Sequence, residues 1–169
     1  DNYELTQTPI KEYDDLKEET KEYKDVKLTK KNTAFNDFRS SSYVINAHVD
    51  PKDSKEVTFK VRASDKEGTL VTYNFDTETL TIDRSNSGVI VNGEMNKVSH
   101  KVKKNKDGSV DLEIYVDRSS VEVFNNDYTV EGAMQIFPGT KSNGLQIYSD
   151  KNAIGNVKVT PLKSIWTNK

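Results

Sequence analysis

From Tyr43 onward, apolar residues recur at every second position. Tyr43, Ile45, Ala47 and Val49 alternate with Val44, Asn46, His48 and Asp50, and Val57, Phe59 and Val61 alternate with Thr58, Lys60 and Arg62. The same period runs through Val71, Tyr73 and Phe75, through Leu80 and Ile82, and through Val110, Leu112, Ile114 and Val116. A period of two turns one face of a strand to a core and the other to water. Turn chemistry fills the gaps, at Asp50-Pro51-Lys52-Asp53, Asp65-Lys66-Glu67-Gly68, Asn105-Lys106-Asp107-Gly108, Asn125-Asn126-Asp127 and Ser142-Asn143-Gly144. Asp76-Thr77-Glu78 predicts a tight hairpin. About ten short strands at this rhythm, closing with residues 153–160 and 164–166 and with no long helix among them, predict an all-β fold, an antiparallel two-sheet β-sandwich.

The first 31 residues read differently. Thr8, placed before Pro9, is biased to extended backbone, and Pro9 can open a short turn of helix. Residues 17–31 form a mixed-charge run, expected as a solvated connector. The chain therefore divides into a lead-in segment, residues 1–31, packing on a sandwich of residues 32–169. It opens on Asp1-Asn2-Tyr3, which reads as an internal start, so the sequence is expected to be a piece of something larger.

Composition narrows the chemistry. A chain of 169 residues with 33% hydrophobic and 31% charged residues can bury a core without staples. A net charge of -2 argues against a nucleic-acid clamp or an anionic-membrane binder. The absence of cysteine excludes disulfides and thiolate sites. His48 and His100 are far apart and lack ligand spacing, which excludes a zinc hydrolase site, and the oxygen-bearing turns at Asp50, Asp53 and Asn125-Asn126-Asp127 lack EF-hand spacing and read as plain turns, so neither a metal nor a cofactor is expected. Asp83-Arg84-Ser85 recurs as Asp117-Arg118-Ser119, each at a strand end. The expected role is structural: Asp and Ser cap exposed donors, and Arg forks to a carboxylate such as Glu122. Asp83, Asp117 and Glu122 are the carboxylates in unusual settings, but no spacing marks a catalytic pair. Tyr73, Tyr115, Tyr148 and Trp166 are the candidate carbohydrate contacts, weighed against plain packing roles.

The run from Leu112 to Asn126, Leu-Glu-Ile-Tyr-Val-Asp-Arg-Ser-Ser-Val-Glu-Val-Phe-Asn-Asn, resembles the signature of the C-terminal β-sandwich of glycoside hydrolase family 32. That family holds levanases, inulinases and invertases. Gln7-Thr8-Pro9-Ile10-Lys11-Glu12 resembles the lead into that domain. Leu80 to Gly88, Ile136-Phe137-Pro138, Ser142-Asn143-Gly144-Leu145 and Leu162-Lys163-Ser164-Ile165-Trp166 resemble later pieces in the same order. The resemblance implies a lectin-like jelly-roll sandwich beside a catalytic five-bladed propeller.

The family's nucleophile motif, Trp-Met-Asn-Asp-Pro-Asn, is not matched, because Met95-Asn96 is followed by Lys97. Its Arg-Asp-Pro is absent, and its Glu-Cys cannot occur without cysteine. No catalytic residue carries over. The resemblance implies an extracellular or wall-associated bacterial parent that hydrolyses fructans with retention, using residues that precede this chain. Two functions for the domain itself stay open. It is either a non-catalytic partner that stabilises the parent's propeller or a carbohydrate-binding module for fructan. An oligomer is compatible with both.

Overall fold

The computed structural model describes residues 6–9, 11–90 and 95–163. After a short 3₁₀ helix, Lys11–Leu16, come β1 (Lys21–Lys27), β2 (Tyr43–Asp50), β3 (Glu56–Ala63), β4 (Thr69–Asn74), β5 (Thr79–Asp83) and β6 (Lys97–Lys101). They are followed by β7 (Val110–Val116), β8 (Ser120–Asn125), β9 (Glu131–Gln135), β10 (Gly144–Ser149) and β11 (Ile154–Pro161). One sheet has the order β1-β11-β2-β7-β8-β9 and the other β10-β3-β4-β5-β6. The chain is thus an all-β, two-sheet antiparallel sandwich. The strand expected at residues 164–166 lies outside the described residues.

The alternation in the sequence builds the core. Ile45, Ala47 and Val49 from one sheet meet Val57, Phe59, Val61, Val71 and Tyr73 from the other in one continuous cluster. Each fully buried Val, Ile or Phe contributes about 1.5–3 kcal/mol relative to exposure. The β4–β5 hairpin is closed at Asn74, whose Oδ1 accepts from the backbone N–H of Asp76 at 3.0 Å and of Thr77 at 2.9 Å.

The charged run is not a connector. Lys21–Lys27 is an edge strand pairing with β11, from Lys21 opposite Val159 to Lys27 opposite Ile154. Its register shifts between Tyr23 and Val26, with Asp25 at a φ of 51°. This bulge lets both Tyr23 and Val26 pack on the core although they are three apart. Charge on the remaining positions protects an edge that would otherwise recruit a further strand. The sandwich therefore includes residues assigned above to the lead-in segment. Residues 28–40 then cover the open edge of β10: Ser149 N–H donates to Leu28 O at 2.6 Å and Asn32 Nδ2 to Ile147 O at 2.8 Å.

A second cluster lies on the outer face of the larger sheet. Val44, Tyr115 and Phe124 are buried there, with Tyr128 and Leu162 packed against them. The lead-in segment runs alongside. Gln7 N–H donates to Tyr128 O at 3.0 Å, Glu18 N–H donates to Pro161 O at 2.9 Å, and Lys17 bridges Leu162.

Candidate functional site

The four aromatic candidates separate sharply. Tyr73 is 0% exposed, its hydroxyl donating to Val102 O at 2.8 Å, so its ring belongs to the core. Tyr115 is 7% exposed, set edge-on to Phe124 with its hydroxyl donating to Glu113 at 2.9 Å. Neither ring can stack on a sugar, because strand alternation and the second cluster enclose them. Trp166 lies outside the described residues. Tyr148 is half-buried on the outer face of β10, between a hollow of about 430 Å³ that includes Asn32 and Gln146 and a smaller one that includes Leu70 and Asn86. Along its row across the sheet the hydroxyls are engaged with each other, Thr58 beside it with Thr72 at 3.1 Å and, farther across, Thr81 with Ser99 at 2.9 Å.

The Asp-Arg-Ser echo sits at two strand ends. Asp83 accepts from Ser85 N–H at 2.8 Å and pairs with Lys97 at 3.0 Å. Burial pushes its carboxyl up, but the Ser85 and Lys97 bonds outweigh that and hold it below its ordinary value. Arg84 is buried and donates to Gln135 O at 2.8 Å. Asp117 accepts from Ser42 Oγ and, at 2.7 Å, from Arg118 N–H. Arg118 is exposed and, among the described residues, its guanidinium has no partner.

The buried arginine that organises this end is Arg62, which the alternation assigned to the wet face. Between Ala63 opposite Gly144 and Lys60 opposite Gln146, β3 carries two residues where β10 carries one. The bulge gives Arg62 a φ of 47° and turns its side chain inward, leaving it 3% exposed. Its guanidinium donates to Ser142 O and Arg118 O at 2.7 Å each, to Asp117 O at 3.3 Å and to Gly139 O at 3.5 Å. Two loops, β7–β8 and β9–β10, thus converge on one cation.

Glu122 is half-buried on the outer face of the larger sheet, on a different sheet from Asp83. Among the described residues it has no arginine partner. Burial, with Glu131 and Asp117 nearby, raises its carboxyl above the ordinary value. A carboxyl raised in the folded state favours folding when protonated, and that contribution is lost as pH rises through the folded value. Glu122→Gln is therefore expected to raise the melting temperature at pH 7 by roughly 1–2 °C, the scale of a surface change of about 0.5 kcal/mol. The gain should vanish near pH 3, where the native Glu122 is itself neutral. A gain that persists there would place its cause elsewhere.

Two regions carry groups that the fold does not consume. The first is apolar. Val89, Ile90 and Met95 are 72%, 47% and 73% exposed and lie on the β5–β6 connection. Gly88, at a φ of +85°, anchors that connection by a bridge to Phe137, whose carbonyl an added Cβ would strike. The second is a polar groove of about 590 Å³ on the outer face of β11, β2 and β7, bounded by Tyr128. His48 lies in it, its Nδ1 2.7 Å from Asp111 Oδ1, and Asn105 Nδ2 donates to the other oxygen at 2.7 Å. His100, by contrast, faces inward against Gly132 at the β6–β9 seam. Among the described residues no three His, Cys, Asp or Glu converge as a metal site.

The family profile described as "Glycosyl hydrolases family 32 C terminal" matches residues 12–164. A fructan beta-fructosidase of Streptococcus mutans is 45% identical over 172 residues, covering 99% of this chain and 12% of that protein. A levanase of Bacillus subtilis is 35% identical over 175 residues, covering 96% of this chain and 25% of that protein. The chain thus spans a quarter or less of these relatives. The crystal structure of an exo-inulinase from Aspergillus awamori superposes with a TM-score of 0.83 at 23% identity, over 96% of this chain and 33% of that one.

Proposed function

This chain belongs to the C-terminal domain family of the family 32 glycosyl hydrolases, and we propose that it is the non-catalytic sandwich of a secreted, fructan-hydrolysing enzyme, where it stabilises a catalytic propeller by docking against it. The observation that carries the docking is the placement of Val89, Ile90 and Met95. They are the large hydrophobics left in water among the described residues, and all three stand on one anchored connection. Large apolar side chains left exposed on one short stretch are the kind of feature an interaction surface presents. The relatives named as fructan beta-fructosidase and levanase, each several times longer than this chain, supply the substrate class and the room for a catalytic domain. The carboxylates fit a non-catalytic role. Asp83 is locked to Ser85 and Lys97, and Glu122 projects from the other sheet. A retaining hydrolase needs two carboxyls about 5–5.5 Å apart on one cleft.

The test is a double substitution, Val89→Asp with Met95→Glu. In the longer enzyme it is expected to lower the melting temperature by about 5 °C or more, the effect of uncovering roughly 2 kcal/mol of apolar contact. The 169-residue chain alone should melt as before, because both side chains are already exposed there. An unchanged longer enzyme would sink the docking reading.

A further inference from the structure

The polar groove on the larger sheet is built from two rows that cross three strands in register. Lys158, Asn46 and Glu113 form one row, and Asn156, His48 and Asp111 form the next. Neighbours in such rows stand about 5 Å apart, close enough for one small polar group to be shared between two of them. Tyr128 closes the end beside Glu113.

Tyr128 is held there at a cost. Its φ of 56° is in the left-handed region, which a bulky residue seldom enters. The turn around it is over-determined. Tyr128 N–H donates to Asn125 O at 3.1 Å, Asn125 Nδ2 donates to Asp127 at 2.6 Å, and Thr129 Oγ1 donates to Asp127 at 2.6 Å. The hydroxyl of Tyr128 donates to Glu113 Oε2 at 2.6 Å, and its ring rests 6.0 Å from Phe124. A strained residue fixed this firmly on an outer face is what a ligand platform needs.

The groups around it are underused. Asn46 and Asn126 are exposed, and among the described residues their side-chain amides have no partner. His48 is engaged through Nδ1 only. Lys158 pairs with Glu22 at 3.5 Å, and the groove also holds the carboxylates of Asp111 and Glu113, so no positive field there favours a phosphate or a polyanion. Amide, imidazole, ammonium and carboxylate groups alternate beside one fixed ring. That mixture of donors and acceptors suits a ligand whose hydroxyls both give and accept hydrogen bonds, with an apolar ring face to lie on the tyrosine. A volume of about 590 Å³ is ample for such a ligand.

We infer that this groove binds a neutral oligosaccharide, with one sugar ring on Tyr128 and its hydroxyls shared among Asn46, His48 and Asn126. The choice of a fructose oligosaccharide as ligand rests on the function proposed above, and the groove itself does not. Within a longer enzyme such a site would raise the local concentration of substrate even at millimolar affinity.

The experiment is a two-dimensional NMR titration of the 169-residue chain with inulin- and levan-derived oligosaccharides, and with maltose and cellobiose oligosaccharides in parallel. Saturable shifts are expected at the Asn46 and Asn126 side-chain amides and around Tyr128. Tyr128→Ala should weaken binding about tenfold or more, the scale of one lost stacking contact. Asn46→Ala, on an exposed side chain that the fold does not use, should weaken it by about threefold or more. Tyr148→Ala should leave it unchanged. Silence with every sugar at high millimolar concentration, shifts centred on Tyr148, or full binding by a folded Asn46→Ala variant would each overturn the site. Binding of maltose or cellobiose oligosaccharides alone would uphold the groove and overturn the fructan reading. Silence together with a destabilised Val89→Asp, Met95→Glu enzyme would remove the sugar site and keep the docking role.

Discussion

A chain trimmed to residues 32–169 is expected to lose its cooperative thermal transition. Sequence composition marks the removed part as a charged tether, but it supplies β1 and Leu28, which is 0% exposed. Leu28 N–H donates to Ala153 O at 2.8 Å, and Leu28 O accepts from Ser149 N–H at 2.6 Å and from Ser149 Oγ at 2.7 Å. Gly155 leaves room for the leucine, because a Cβ there would stand 2.8 Å from Leu28 Cδ1. Emptying a buried leucine site costs about 2–5 kcal/mol. Each buried donor stripped of its acceptor adds about 1–3 kcal/mol. The trimmed chain would also present β11 as a bare edge. Those losses rival the whole stability of an ordinary domain, about 5–15 kcal/mol. A chain of residues 19–169 keeps β1 and should fold, with a smaller drop from losing the backbone hydrogen bonds of Gln7, Leu16 and Glu18 to Tyr128, Lys163 and Pro161. Circular-dichroism melts of both chains decide it. A cooperative melt of the shorter chain within about 5 °C of the full chain, a difference of about 2 kcal/mol, would make residues 1–31 a tether after all.

The strands that were legible share one property: they lie where the period of two is unbroken. β2, β3 up to Val61, β4, β5 and β7 carry their apolar residues at the positions the alternation marks. The period fails at bulges. In β1 it fails between Tyr23 and Val26, and charge on the remaining positions conceals an edge strand as a loop. In β3 it fails after Val61, and the residue misplaced is the most consequential polar side chain of that end. A bulge needs one residue more than its partner strand has, and a single sequence does not reveal its partner's length.

The candidate sites were less legible than the fold. Tyr115 sits on the outward side of β7, in a cluster with Val44 and Phe124 against which Tyr128 and Leu162 pack, and no local pattern announces that cluster. The Asn125-Asn126-Asp127 cluster reads as a plain turn, and it is one, but its product is the fixed Tyr128. His48 reads as a surface histidine. Only the pairing of β2 with β7 and β11 sets it between Asp111 and Asn156. Register between strands far apart in sequence makes these sites, and alternation within one strand is silent about it. Locating the exposed apolar stretch required knowing that Val89, Ile90 and Met95 stay uncovered.

Arg62→Met is expected to cost about 3–5 kcal/mol, the range for removing one member of a buried charged network. The melting temperature should fall by about 10 °C at 2–4 °C per kcal/mol. Methionine keeps most of the side-chain volume, so the loss isolates the guanidinium rather than a cavity. Four carbonyls, those of Asp117, Arg118, Gly139 and Ser142, would lose their donor at once. Burial lowers the pKa of Arg62 from its ordinary value, with Tyr43, Asp117 and Glu67 acting to hold the proton. The guanidinium stays charged because its ordinary pKa lies far above neutral, and those neighbours only partly offset the burial. Arg62→Lys should recover little, because a point donor cannot serve two loops that a planar fork reaches together. Arg118→Ala, in the motif that the sequence made prominent, should change stability by no more than about 0.5 kcal/mol, since its exposed side chain is not what the network uses. Its backbone carbonyl is, and alanine keeps that. A melt showing the reverse order, Arg118 costly and Arg62 neutral, would mean that the Asp-Arg-Ser echo acts through its side chains and that Arg62 merely fills space at the bulge.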